Sequence, residues 1–166
     1  VEAIVVNASG CGSHLKEHGA SALDVTEAIA DAELPELQPL ELTVAYQDSC
    51  HLRHAQRLPA AWRPVLERVP GLRVVETAEQ DLCCGSAGIY NVTQPDAARD
   101  LGDRKAANVL ATGADAYASA NPGCLVQVAQ ALGRAGRRLP AFHPVELLDA
   151  SLRGLRAEEL LAGARR

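Results

Sequence analysis

Short apolar segments alternate with helix-like segments over the whole chain, and few folds accept such an order. Five apolar runs have the length of buried strands and are bounded by turn or capping residues. These candidate strands are residues 3–7, 42–46, 72–76, 114–118 and 139–142. Their alternation with helices predicts an α/β fold, with a mainly parallel sheet flanked by helices. A chain of 166 residues is long enough to bury a core without disulfide bonds.

Helical periodicity is clearest in two segments of the chain. Apolar residues recur at i, i+3, i+4 and i+7 over residues 62–69 and 125–132. Residues 95–112 form another candidate helix, because the segment begins with proline and is followed by glycine. A last amphipathic helix is predicted to begin at His143-Pro144.

The order strand, Gly-Cys, helix occurs twice, at Gly10-Cys11 and at Gly123-Cys124. This repetition predicts two tandem repeats. Residues 1–32 are interpreted as the C-terminal remnant of a first repeat, residues 33–41 as a proline-containing linker and residues 42–166 as the second repeat. The chain contains no methionine, so we expect it to be part of a longer protein.

Composition argues against several classes of partner. Sixteen basic and twenty-one acidic residues give a net charge of −5, without the clustered positive charge that a nucleic-acid partner requires. Aromatic residues make up only 3% of the chain, too few for a base-stacking surface. Five cysteines without a secretory signal pattern indicate reduced thiols or metal ligands, not a disulfide framework.

Four of the five cysteines follow candidate strands. Cys50 comes after residues 42–46, Cys83-Cys84 come after residues 72–76, and Cys124 comes after residues 114–118. Because the carboxyl ends of parallel strands meet at one edge of a sheet, we expect these four sulfurs to converge. Cys11 is expected to lie outside this group, since its partners belong to the preceding repeat.

The adjacent pair Cys83-Cys84 is the most informative part of this pattern, because two neighbouring core cysteines on a strand would face opposite sides. In a loop tightened by Gly85, both sulfurs can face one centre. Four thiolates suit tetrahedral zinc or an iron–sulfur cluster, and metal ligation is the favoured interpretation. Buried apolar cysteines and thiol-redox chemistry, including a vicinal disulfide, remain open at this point.

Three polar residues are candidates for supporting the cysteine site. His51 follows Cys50 and His143 follows the last strand, so either imidazole is placed to bind metal or to donate to sulfur. A surface or capping role explains both histidines equally well. Asn121 precedes Pro122 and is predicted to cap the following helix with its side chain.

These cysteines resemble a known family. Cys50-His51, Cys83-Cys84-Gly85 and Cys124 are similar to the cysteine-rich CCG domain of heterodisulfide reductases and of iron–sulfur subunits of hydroxy-acid dehydrogenases. Residues 81–91 most resemble the iron–sulfur subunits of glycolate oxidase (glycolate dehydrogenase) complexes, as do residues 121–125 and 143–148. The resemblance covers essentially the whole chain.

The resemblance implies an electron-transfer role without a catalytic residue in this chain. A partner subunit carrying FAD oxidises glycolate to glyoxylate, and the electrons pass toward the quinone pool. Cys50, Cys83, Cys84 and Cys124 would hold an iron–sulfur cluster of the [4Fe–4S] type, and Cys11 would belong to the first repeat's site. The implied location is cytoplasmic, peripheral at the inner membrane through the complex.

The sequence departs from the family pattern at Asn121, where the heterodisulfide reductase relatives carry a fifth cysteine. Four ligands remain, which keeps a zinc site as the alternative cofactor. A structural zinc module without a redox role is one alternative function. A related subunit of a lactate-utilisation or heterodisulfide-reductase-type complex is the other.

Overall fold

A computed structural model describes residues 1–30 and 32–164. The strands are β1 (Ile4–Val6), β2 (Ala22–Asp24), β3 (Leu42–Tyr46), β4 (Leu72–Glu76), β5 (Ala116–Ala118) and β6 (Ala141–Phe142). The helices are α1 (Ser9–Glu17), α2 (Val25–Ala30), α3 (Trp62–Leu66), α4 (Tyr90–Thr93), α5 (Pro95–Ala111), α6 (Pro122–Arg134), α7 (Pro144–Leu152) and α8 (Ala157–Gly163). A short π-helix, His51–Ala55, follows β3. In the described part of the chain, none of the helices combines the length and hydrophobicity needed to cross a bilayer.

A four-stranded sheet in the order β4-β3-β5-β6 forms the centre of the molecule. All of its neighbouring strands are parallel, and β3 pairs with β4 along its full length, from Leu42 opposite Leu72 to Tyr46 opposite Glu76. Strands β1 and β2 form a separate parallel pair. The predicted α/β class with a parallel sheet and flanking helices is therefore confirmed.

Two apolar cores cover the two faces of this sheet. Successive side chains of a strand point to opposite faces, so Val44 and Tyr46 enter one core and Ala45 the other. The first core contains the fully buried Trp62. The second core is formed largely by α5 and α6 and includes two of the predicted site cysteines, Cys84 and Cys124.

The predicted strands 42–46 and 72–76 match the structure at both ends, whereas β1, β5 and β6 are shorter than predicted. Strand β2 was not predicted, and neither were α2, α4 and α8. The three residues of β2 show no useful apolar alternation and pair only with β1. Their extended conformation depends on that tertiary contact, which a local pattern does not encode.

The N-terminal segment packs on the four-stranded sheet through Ser9. This residue is fully buried, and its hydroxyl donates to the carbonyl oxygen of Ala120 over 2.9 Å and contacts the hydroxyl of Ser49. Gln56 Nε2 donates to the carbonyl oxygen of Ser9, also over 2.9 Å. These contacts attach the start of α1 to the segments that follow β3 and β5.

The predicted linker, residues 33–41, contains no helix or strand but is packed against the domain. Leu40 is fully buried, and its N–H donates to the carbonyl oxygen of Pro70 over 2.8 Å. The division into a first-repeat remnant, a linker and a second repeat stays a prediction. Within it, Asp31, Arg165 and Arg166 lie outside the described residues.

Candidate metal centre

Three neighbouring strands of the sheet bring four cysteines to its carboxyl edge. Cys50 follows β3, Cys83 and Cys84 lie in the loop after β4, and Cys124 lies in the first turn of α6 after β5. The sulfurs form two close pairs. Cys50 Sγ lies 3.9 Å from Cys83 Sγ, and Cys84 Sγ lies 3.3 Å from Cys124 Sγ.

The two sulfur pairs differ in burial. Cys84 and Cys124 are each 2% exposed and belong to the core between α5 and α6, whereas Cys50 and Cys83 are half-buried. Cys84 and Cys124 are thus held in an apolar environment of low dielectric constant, while Cys50 and Cys83 face the surface. A metal centre bound by all four would be embedded on one side and open to a partner on the other.

The thiols share hydrogen bonds that favour a negative charge on one sulfur. The Cys50 and Cys84 thiols and the Gly85 N–H donate to Cys83, and these bonds hold the pKa of Cys83 far below its usual range. The hydrogen bond with Cys83, burial and the neighbouring thiols raise the pKa of Cys50. Contacts with Cys124 and Cys83, together with burial, raise the pKa of Cys84. The hydrogen bonds therefore favour thiolate, the form that binds metal, on Cys83, and the protonated thiol on Cys50 and Cys84.

Gly85 allows the two consecutive cysteines to turn toward the same centre. Its φ is +89°, and a Cβ atom at this position would lie 2.5 Å from the carbonyl oxygen of Ala98 in α5. The Gly85 N–H lies 3.4 Å from Cys83 Sγ. The turn therefore requires both the conformational freedom and the small volume of glycine.

A cavity of about 300 Å³ opens beside the sulfurs. Its lining includes Cys50, Cys84 and Cys124, and also Cys11 from α1. Cys11 is exposed and joins neither sulfur pair, so its place outside the group stays a prediction. The buried contacts of Ser9 seat the first turn of α1 on the edge of the sheet that carries the other cysteines.

Two of the predicted supporting residues also line this cavity. His51 Nδ1 lies 3.6 Å from Cys50 Sγ. Asn121 occupies the position before α6 in an extended conformation, but its side chain makes no capping hydrogen bond, so the predicted cap is wrong. The side chain lies between α1 and the start of α6: a Cβ atom at Gly10 would be 3.9 Å from Asn121 Nδ2, and one at Gly123 would be 3.9 Å from Asn121 Oδ1.

His143 takes the capping role, one of the two interpretations that the sequence left open. Its Nδ1 accepts a hydrogen bond from the Val145 N–H over 3.2 Å, and its own N–H donates to the Glu146 carboxylate over 2.7 Å. The ring packs edge-on against Trp62, and it is not part of the cavity lining. His143 is therefore the N-terminal cap of α7 and not a neighbour of the thiols.

Lys105 is a residue near the site that the sequence interpretation missed. Its side chain is fully buried, and its ammonium donates to the carbonyl oxygen of Glu79, in the loop that leads to Cys83. The buried positions of α5 include Ala98, Gly102 and Val109. Lys105 falls in the same stripe, so the helical register of residues 95–112 would have identified it as an inward-facing lysine.

The donor set fits a thiolate-bound metal group. Within residues 1–30 and 32–164, no three His, Cys, Asp or Glu side chains already surround the position of a single ion. The four sulfurs are nevertheless in contact as two pairs beside a cavity, and ligands of a cluster would be spread to roughly 6–7 Å. Soft sulfur donors select zinc or iron–sulfur clusters over hard cations. Cys50, Cys83, Cys84 and Cys124 are the residues that would hold such a group.

The parallel sheet and the thiols at its carboxyl edge define a class, the cysteine-rich α/β domains. The profile of the cysteine-rich CCG domain matches residues 44–129, a segment that includes all four of these cysteines. The chain belongs to the CCG family.

Curated relatives extend the similarity to most of the chain. It is 36% identical over 170 residues to the glycolate oxidase iron-sulfur subunit of Escherichia coli, covering 91% of this chain and 40% of that protein. It is 34% identical over 170 residues to the probable glycolate oxidase iron-sulfur subunit of Bacillus subtilis, covering 89% and 38%. It is 31% identical over 156 residues to a subunit of the fumarate reductase (CoM/CoB) of Methanothermobacter marburgensis, covering 89% and 32%. The chain thus spans about a third to two fifths of these relatives.

Proposed function

We propose that this chain is the electron-transferring part of an iron–sulfur subunit in an oxidoreductase complex of the glycolate oxidase type. The observation that carries the proposal is the convergence of four thiols from three strand-end loops, two of them in the core and two half-buried. Relatives named as glycolate oxidase iron-sulfur subunits support the choice of complex.

Cys50, Cys83, Cys84 and Cys124 are proposed as the ligands of a cluster of the [4Fe–4S] type. When bound, such a cluster supplies one-electron redox chemistry. The protein contributes a buried side that excludes water at Cys84 and Cys124, and N–H donors toward sulfur such as that of Gly85. Hydrogen bonds and burial of this kind are the factors that set cluster potentials. No residue of this chain is assigned a catalytic role.

The substrate chemistry is proposed to occur on a partner subunit that carries FAD. There glycolate loses two electrons and two protons to become glyoxylate, and the electrons leave through this chain toward the quinone pool. The proposed location is cytoplasmic, with peripheral attachment to the inner membrane through the complex. Cys11, which also lines the cavity, is proposed to belong to the site of a first repeat.

A structural zinc site is the second candidate function. The separation of 3.9 Å between Cys50 Sγ and Cys83 Sγ is close to the value of about 4 Å expected for two ligands of one tetrahedral zinc ion. Such a site would stabilise the fold and carry no electrons.

Anaerobic purification of the whole chain, followed by metal and sulfide analysis and by optical and EPR spectroscopy, separates the two candidates. Iron with acid-labile sulfide and a signal that appears on reduction supports the proposed function. A colourless chain that contains stoichiometric zinc contradicts it. Cys83→Ser and Cys84→Ser should abolish cluster binding, whereas Cys11→Ser, the matched cysteine control, should retain the cluster.

A further inference from the structure

Lys105 reaches from α5 toward the cysteine loop. Side chains on a helix lean toward its N-terminus. The Lys105 ammonium ends at the carbonyl oxygen of Glu79, four residues before Cys83. Nearer the N-terminus of the same helix, the backbone of Ala98 contacts Gly85, which follows the cysteine pair. Helix α5 therefore contacts the cysteine loop on both sides of the Cys83-Cys84 pair.

The buried charge of Lys105 lacks a direct ion pair. In the part of the chain that the structure describes, the carbonyl of Glu79 provides the only hydrogen bond to its ammonium. The Glu79 carboxylate instead accepts hydrogen bonds from Arg104 and Asn108. An ammonium removed from water is costly unless negative charge lies nearby.

The cysteine site is the available source of that negative charge. Two neighbours of Lys105 on α5 pack in the same core as Cys84 and Cys124. These neighbours are Ala106 and Val109. Burial lowers the pKa of Lys105, and the charges of Glu79 and of the thiolates act in the opposite direction. Negative charge on the cysteine site, including that of a cluster bound there, would therefore be stabilised by the buried Lys105 ammonium across a medium that screens weakly.

We propose that Lys105 is a positioning residue whose buried positive charge stabilises the reduced form of the cysteine-bound cluster and so raises its reduction potential. The inference rests on the proposed function. Reduction adds one electron, and therefore one negative charge, to the cluster without breaking a bond. A fixed cation nearby favours the more negative state, so its removal lowers the potential.

An EPR-monitored redox titration of the cluster-loaded chain, with dithionite as the reductant, tests this inference. Lys105→Met should lower the equilibrium constant for one-electron reduction about tenfold, which corresponds to 59 mV. Lys105→Arg, which keeps the charge, should stay close to the wild-type potential. Lys16→Met is the matched control, because Lys16 is the chain's other lysine, partly exposed and paired with Glu27, and its loss should leave the potential unchanged.

An unchanged potential in a cluster-loaded Lys105→Met chain overturns the inference, as does an equal fall in Lys105→Arg. If Lys105→Met does not retain the cluster, Lys105→Gln replaces it as a neutral residue that can still donate to Glu79. If neither neutral variant retains the cluster, the Lys105→Arg variant decides. A full cluster in Lys105→Arg supports the inference that a positive charge is needed at this position, and loss of the cluster in Lys105→Arg overturns the inference. A wild-type chain without a reducible cluster overturns the proposed function as well, whereas a wild-type cluster insensitive to the charge at residue 105 overturns this inference alone.

Discussion

Replacing Gly85 by alanine tests whether the cysteine loop depends on its contact with α5. The positive φ of Gly85 costs an alanine about 1–2 kcal/mol. The added Cβ would lie 2.5 Å from the Ala98 carbonyl oxygen and 2.9 Å from its Cα, so backbone and not a flexible side chain would have to move. Overpacking of this kind costs about 1–3 kcal/mol. The sum is a loss of about 2–5 kcal/mol, reduced by about 0.4–1 kcal/mol because alanine restricts the unfolded chain.

Gly88→Ala is the matched control, because it separates the backbone cost from the steric cost. Gly88 lies in the same loop with a φ of +52°, and a Cβ there would have no atom within 4 Å. Both variants pay for positive φ and gain the same entropy in the unfolded chain. The difference between them, about 1–3 kcal/mol, measures the contact with Ala98 alone.

Urea unfolding of the metal-free chain measures both variants, with the fluorescence of Trp62 as the probe. Trp62 is the single tryptophan and is fully buried in the core. Displacement of the Gly85 backbone should also reduce iron and sulfide content in Gly85→Ala and leave it unchanged in Gly88→Ala. Equal destabilisation by the two substitutions would refute the steric argument.

Two further predictions concern the polar residues near the site. Asn121→Ala should change the free energy of unfolding by less than about 0.5 kcal/mol, the usual range for a side chain without a structural hydrogen bond, and should leave metal content unchanged. Loss of metal in a folded Asn121→Ala chain would instead make this side chain part of the centre. Burial lowers the pKa of His143, so the neutral ring contributes stability that is present above the unfolded pKa of about 6.5 and is lost as the pH falls through the lower folded value. In His143→Asn, which preserves a capping side chain, this loss of stability between pH 7.5 and pH 5 should be smaller when urea unfolding is measured at both pH values.

The parts of the fold that the sequence predicted best are those whose pattern is local. Strands β3 and β4 were predicted to the residue because each is a short, largely apolar run rich in β-branched residues, bounded by turn or capping residues. The grouping of Cys50, Cys83, Cys84 and Cys124 followed from the rule that parallel strands end at one edge. These predictions needed only strand order and direction.

Parts of the site depend on contacts between distant segments. The place of Cys11 in the cavity depends on the burial of Ser9 against the segments after β3 and β5, which no local pattern encodes. Asn121 occupies the capping position of α6, but its side chain makes no capping hydrogen bond. His143 is different, because the sequence His143-Pro144-Val145-Glu146 already contains the spacing of a capping box. That signal was readable and would have separated His143 from the thiols.

Each of the two sulfur pairs joins residues far apart along the chain. Cys50 and Cys83 are 33 residues apart, and Cys84 and Cys124 are 40 residues apart. In an unfolded chain, holding such ends together costs loop-closure entropy that no local contact offsets. The strands must therefore be aligned before the sulfurs meet, so the proposed cluster would be inserted into a chain that has already folded.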